Sequence, residues 1–275
     1  MRRSKAAPRP EAPFPSAPVP SAAVPSAAVP SASSPDATAD AGAGRGTLLV
    51  LSTLIDRAQR LQQPAVAKYV RRLRGKYPDE GPEQIIRRLE KQYLTTVTAS
   101  GGAVGAAAAI PGVGTVTALS ALTAETVAFV EASALLALAI AEVHGIAPTD
   151  QERRKTLVLA VALGEEGTAL VGKAVGAKGT DAIARLGVPG LPGVNLATVN
   201  RTLGNRFVRK FALGKAPVVM GKLVPGGIGA VIGGVGNRAL GTRVIRNARG
   251  AFGPPPHFWD IDGEVVRAPR VIEAG

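Results

Sequence analysis

The chain has 275 residues, a formal net charge of +13, 46% hydrophobic but only 4% aromatic residues, 33 Gly, 22 Pro, two His and no Cys. Without cysteine there can be no disulfides, thiolate metal sites, cysteine nucleophiles or iron–sulfur clusters, and the glycines lack the three-residue period of collagen. The charge is uneven: residues 45 to 94 carry eleven Lys/Arg against five acids, 95 to 170 three against seven, and 171 to 256 thirteen against Asp181 alone.

Within residues 1 to 44 the stretch from Pro15 to Pro35 repeats a Val-Pro-Ser-Ala-Ala unit with almost nothing large to bury, so a disordered tail with local polyproline II is expected. Arg2 and Arg3 are not followed by the apolar run of a secretion signal. The cytoplasm is therefore the expected compartment, with the inner face of the cell membrane as a peripheral station.

A helical domain is expected over 45 to 253. Leu48, Leu51, Leu54, Ile55, Ala58 and Leu61 recur at spacings of three and four, as do Val66, Tyr69, Val70, Leu73 and Tyr77 opposite Lys68, Arg71, Arg72, Arg74 and Lys76. Pro82, at a first helical position, opens a third amphipathic helix through Ile85, Ile86, Leu89, Tyr93 and Val97. From Thr95 to Ala124 there is no charged residue, and Ile110-Pro111-Gly112-Val113-Gly114 breaks the run. The next helix, about Thr115 to His144, is apolar on nearly every face and is stopped by Gly145, which predicts a central place in a bundle or a place in a membrane.

Thr149 as N-cap with Glu152 three residues on predicts a capping box opening a helix through Leu157, Val161 and Leu163 towards Leu170. Asn195 caps another, with Leu196, Val199, Leu203, Phe207 and Phe211 on one side and Arg201, Arg206, Arg209 and Lys210 on the other. After the break at Val224-Pro225-Gly226-Gly227, residues Gly229, Gly233, Asn237 and Gly241 fall at strict i+4 spacing on a helix running to about Arg249. From Pro254 the chain is an extended tail or small hairpin, the hairpin reading resting on Trp259 to Val266. The whole predicts an all-α bundle of about seven to nine helices with glycine-rich central packing.

Small residues every four positions let a neighbouring helix approach closely, so Gly229, Gly233 and Gly241 are read as helix-packing glycines, with Gly101, Gly105 and Ala109 a weaker copy. Packing inside one domain is favoured over membrane insertion or homo-oligomer contact. The Leu-rich helix carries Glu125 and Glu131, and such charges oppose insertion by about 2.5 to 3.5 kcal/mol each. Carboxylates there need partners, and Arg238, Arg243 and Arg246 are the candidates. Structural ion pairing is favoured over an acid/base role for Glu125 or Glu131.

His144, beside the helix-ending Gly145, suits a C-terminal capping interaction better than catalysis. Gly167-Thr168-Ala169-Leu170-Val171-Gly172-Lys173 matches the start of a phosphate-binding loop, but Ala174 replaces the magnesium-binding hydroxyl and a helical pattern precedes it. No metal-ligand cluster, nucleophile elbow or cofactor motif is present, so neither metal nor cofactor is expected. Nucleic acid is a disfavoured partner, because stacking aromatics are scarce and the basic residues form no recognition motif.

The basic helical lead-in, Ile110 to Gly114, the long apolar helix ending in Ala141-Glu142-Val143-His144-Gly145-Ile146, the capped helix, and Val224 to Gly234 followed by Asn237 and Ala248 to Phe252 together resemble the bacterial EcsC protein family over roughly residues 50 to 252. The resemblance implies an all-α protein associated with an ABC-transporter system and carries over no catalytic residue. A non-catalytic interaction protein at an anionic membrane surface is therefore expected, with a protein partner or a second copy as further partners. The alternatives are an enzyme using Glu125 or Glu131 and a nucleic-acid-binding protein.

Overall fold

A computed structural model describes residues 63–108, 115–148, 150–188, 194–222 and 228–259. The proline-rich tail, the helix expected over Leu48 to Leu61, the breaks at 110–114 and 223–227, Ala109 and the hairpin past Trp259 lie outside these residues. Helix α1, Gln63–Lys76, buries Val66, Val70 and Leu73 on one face and exposes Lys68, Arg71 and Arg72 on the other. Arg74 and Lys76 in its last turn complement the helix dipole. A turn then leads to α2, Pro82–Ala108, where the Gln84 side chain accepts the Gly81 N–H at 2.5 Å. Ile85, Leu89, Tyr93 and Val97 are fully buried along its first four turns.

Helix α3, Thr115–Val143, supplies Phe129, Val130, Leu136 and Ile140 to the core. It ends where Gly145 takes φ 69°, and the Ile146 N–H reaches the Ala141 carbonyl at 2.8 Å in a left-handed C-terminal cap. Helix α4, Gln151–Leu163, is capped by Asp150, whose carboxylate accepts the Arg153 N–H at 2.9 Å. This corrects the expected capping box. Thr149 lies outside the described residues, and Glu152 reaches across to another helix instead of back to the cap.

The continuation expected to Leu170 is broken at Gly164, at φ 72°, and α5, Glu165–Val175, starts afresh. The loop-like Gly167 to Lys173 sequence is thus helical, without the strand-to-loop entry a phosphate cradle needs. A short α6, Thr180–Ala184, continues as a 3-10 turn over Arg185–Gly187. Helix α7, Leu196–Lys222, has Asn195 as its cap, accepting the Thr198 N–H at 3.1 Å, and α8 runs from Ile228 to Phe252.

The described residues form an all-α fold of eight α-helices and no strand. Helix α8 packs against α2, α3, α4, α5, α6 and α7, so the glycine-rich helix, rather than the most apolar one, is the hub. Its small side chains permit this. A Cβ on Gly101 of α2 would stand 2.6 Å from the Asn237 amide nitrogen, and one on Gly241 would stand 2.9 Å from Val97 Cγ2. The two glycine ladders face each other inside one fold, where close backbone approach replaces side-chain interdigitation.

Candidate functional site

Glu125 is 3% exposed, and its carboxylate accepts a hydrogen bond from the Asn237 amide. The same Asn237 nitrogen lies 3.0 Å from the Val97 carbonyl oxygen, so one buried amide links α2, α3 and α8 at the glycine crossing. A buried carboxylate needs donors aimed at it, and this amide is one. The expected arginine partners are corrected accordingly: Arg238, Arg243 and Arg246 are all exposed, and none pairs with Glu125 or Glu131 among the described residues. One residue along a helix turns the side chain by about 100°, which carries Arg238 out to solvent while Asn237 faces inward. Glu131, six residues after Glu125, is half-buried on a different side of α3. The two carboxylates do not converge on a common site.

Two polar groupings were not anticipated from the sequence. Glu90, its side chain 6% exposed, accepts two hydrogen bonds from Arg249, Nε to Oε1 at 2.8 Å and Nη2 to Oε2 at 2.5 Å. This bidentate pair fastens α2 to the last turn of α8 and raises the Arg249 guanidinium further above its ordinary pKa. A signal was present, since Glu90 lies within the buried stripe of Ile86, Leu89, Tyr93 and Val97. Asn200 donates to the Glu152 carbonyl oxygen at 2.9 Å and its carboxylate at 2.7 Å, and accepts from the Thr156 hydroxyl at 2.8 Å, locking α4 to α7.

His144 Nδ1 lies 2.9 Å from the Ile140 carbonyl oxygen, so this nitrogen carries the proton and the ring caps α3 as expected. The ring stacks on Phe252 with centroids 5.3 Å apart, and burial depresses its pKa. With Glu90 and Arg249 it lines a cleft of about 640 Å³.

The surface shows a second pattern. Helices α2 and α8 run antiparallel, Gly101 beside Gly233 and Gly105 beside Gly229, so the C-terminal end of α2 and the N-terminal end of α8 share one end of the bundle. Exposed residues there include Ala99, Ala103, Ala106, Val231 and Val235, with Val231 and Val235 65% and 62% exposed. Next along the same face of α8 comes exposed Arg238, followed towards the middle of the bundle by exposed Lys91 and Arg243. On α7, Leu213 is 72% exposed beyond exposed Arg206, Arg209 and Lys210. Neither α7 nor α8 contains an acidic residue.

One described helix is long and apolar enough to cross a membrane, over Ala124–Val143, and 56% of that stretch is buried inside the fold. That burial is what the core helix of a bundle shows. No family model, curated protein or solved structure matches the chain.

Proposed function

We propose that this protein is a non-catalytic accessory protein that binds reversibly to an anionic membrane surface through the shared end of α2 and α8. The observation that carries the reading is the order of exposed residues on α8: Val231 and Val235 at the end, Arg238 next, Arg243 and Arg246 behind, with no acid on that helix or on α7. Small apolar side chains at such an end enter the boundary between headgroups and acyl chains, while the arginines behind them meet lipid phosphates. Each cation near an anionic leaflet contributes about 1 kcal/mol, screened within a Debye length of about 8 Å at physiological salt. The resemblance to the EcsC family supports a setting beside an ABC-transporter system at the inner face of the cell membrane, where a protein partner or a second copy would complete the assembly.

Co-sedimentation of the full chain with vesicles tests this. Pelleting with phosphatidylglycerol vesicles, absence of pelleting with phosphatidylcholine, and release by high salt are expected. A protein that stays in the supernatant with anionic vesicles at low salt would refute the reading.

A further inference from the structure

Half-buried Trp259 is fastened at the junction of α1 and α2. Its indole Nε1 donates to the Glu80 carbonyl oxygen at 3.1 Å, and the Arg74 guanidinium carbon lies 4.2 Å from its ring centroid. Together the hydrogen bond and the cation–π contact fix the start of whatever chain follows. Arg74 stands in the last turn of α1 and begins a row at i−3 spacing, Arg74, Arg71 and Lys68, in which neighbouring Cβ atoms lie about 5–6 Å apart. Arg72 stands beside the row, and α1 contains no acid. Lys68, Arg71 and Arg72 are exposed, and none forms an ion pair with another described residue. Glu142 of α3 feels the charge of Arg71 without pairing with it, so this face keeps a cationic excess.

Trp259 is followed by Asp260-Ile261-Asp262-Gly263-Glu264, three acids at alternate positions with no cation among them. Alternate residues of an extended chain share one side, at intervals of about 6.6 Å. Five extended residues span up to about 17 Å, whereas Arg74 and Lys68 are separated by a helical rise of about 9 Å. Starting beside Arg74, the three acids can therefore be laid against the whole row. Surface ion pairs are individually weak, but an anchor one residue away makes their formation intramolecular and raises the effective concentration of the partner.

We propose that the exposed cationic face of α1 is a docking surface for the chain's own acidic segment, residues 260–264, which runs back along the helix from Trp259 with its carboxylates against Arg71, Arg72 and Lys68. The segment covers this face and keeps it from other anions. The proposal is independent of membrane docking, which uses the end of α2 and α8 and none of these residues.

The chain has no cysteine, so an engineered pair reports position against a silent background. The full chain carrying Arg72→Cys and Asp262→Cys, oxidised with copper phenanthroline at low salt and without vesicles, should close a disulfide within one chain, read as a mobility shift in non-reducing electrophoresis. The reference is Asp79→Cys with Asp262→Cys. Asp79 is exposed and adjacent to Glu80, which holds Trp259, so the tether alone brings position 262 within similar reach of it. Closure at position 72 should be faster than at position 79 by about tenfold, the sum of two or three surface pairs. The excess should vanish at 1 M salt, where the Debye length is about 3 Å, and on adding Asp260→Asn and Glu264→Gln. All four positions are exposed or lie past Trp259, and the reduced variants should melt as wild type does. Equal rates at positions 72 and 79, a ratio unmoved by salt or by the neutral replacements, or a disulfide that joins two chains would overturn the proposal.

Discussion

A Cβ on Gly105 would stand 2.6 Å from the carbonyl carbon of Gly229 and 2.8 Å from Ala230 Cα, so α2 and α8 touch backbone to backbone at this level. Nothing flexible can yield there, and one methyl group must push the helices apart. Gly105→Ala is therefore expected to destabilise the fold by about 1–3 kcal/mol. Gly204, within α7, has nothing within 4 Å of its would-be Cβ. Gly204→Ala should stabilise by about 0.4–1 kcal/mol through the unfolded chain. Urea unfolding of the two variants, read against wild type, gives opposite signs if the contact is as described.

Asn237→Ala removes the donor that Glu125 and the Val97 carbonyl share. The change should cost about 1–3 kcal/mol, more than the lost volume alone explains, because a buried acceptor forfeits a partner. In a double-mutant cycle with Glu125→Gln, a non-zero coupling energy is expected between the two positions, and additive effects would show that the amide and the carboxylate act independently.

Burial holds the His144 pKa below its ordinary value of 6.5. The unfolded chain thus binds a proton at a pH where the folded one does not, so acidification favours the unfolded chain. Stability should be complete above about pH 6.5 and fall as pH drops below it. Glu142, raised by its own burial against the pull of Arg71, acts with the opposite sign. The comparison that isolates His144 is the melting temperature of wild type against His144→Gln across pH 5 to 8. The variant should show a shallower loss towards the acid end.

Val231 and Val235 are exposed, so replacing both with Asp should change stability by no more than about 0.5 kcal/mol each. If the end of α8 meets lipid, the Val231→Asp, Val235→Asp protein should lose most of its pelleting with anionic vesicles while melting as wild type does. Arg238→Gln should weaken pelleting less and make it less sensitive to salt. Pelleting that survives the double replacement would move the contact elsewhere on the molecule.

The helical class and most helix positions were legible in the sequence because burial on a helix is local and periodic: Val66, Val70 and Leu73, or Ile85, Leu89 and Tyr93, announce their faces without reference to any other part of the chain. The glycine ladder was legible for the same reason. The cap of α4 was harder, since Thr149 and Asp150 are adjacent and equally suited to the role, and the choice depends on where the helix begins.

What the sequence could not decide was pairing. It showed that Glu125 needed a partner and offered Arg238, while the structure brings Asn237, a single position away and already on the ladder that faces α2. The difference between a buried amide and a solvent-facing arginine is one step of rotation about α8, set by which face docks against Gly101 and Gly105. That docking is decided by shape complementarity between segments more than a hundred residues apart, as is the Glu90–Arg249 pair. Which residues on each helix are apolar, small or charged can be read from the chain alone, whereas which of them meet follows from how the helices pack, because a helix states its own faces and not its neighbours.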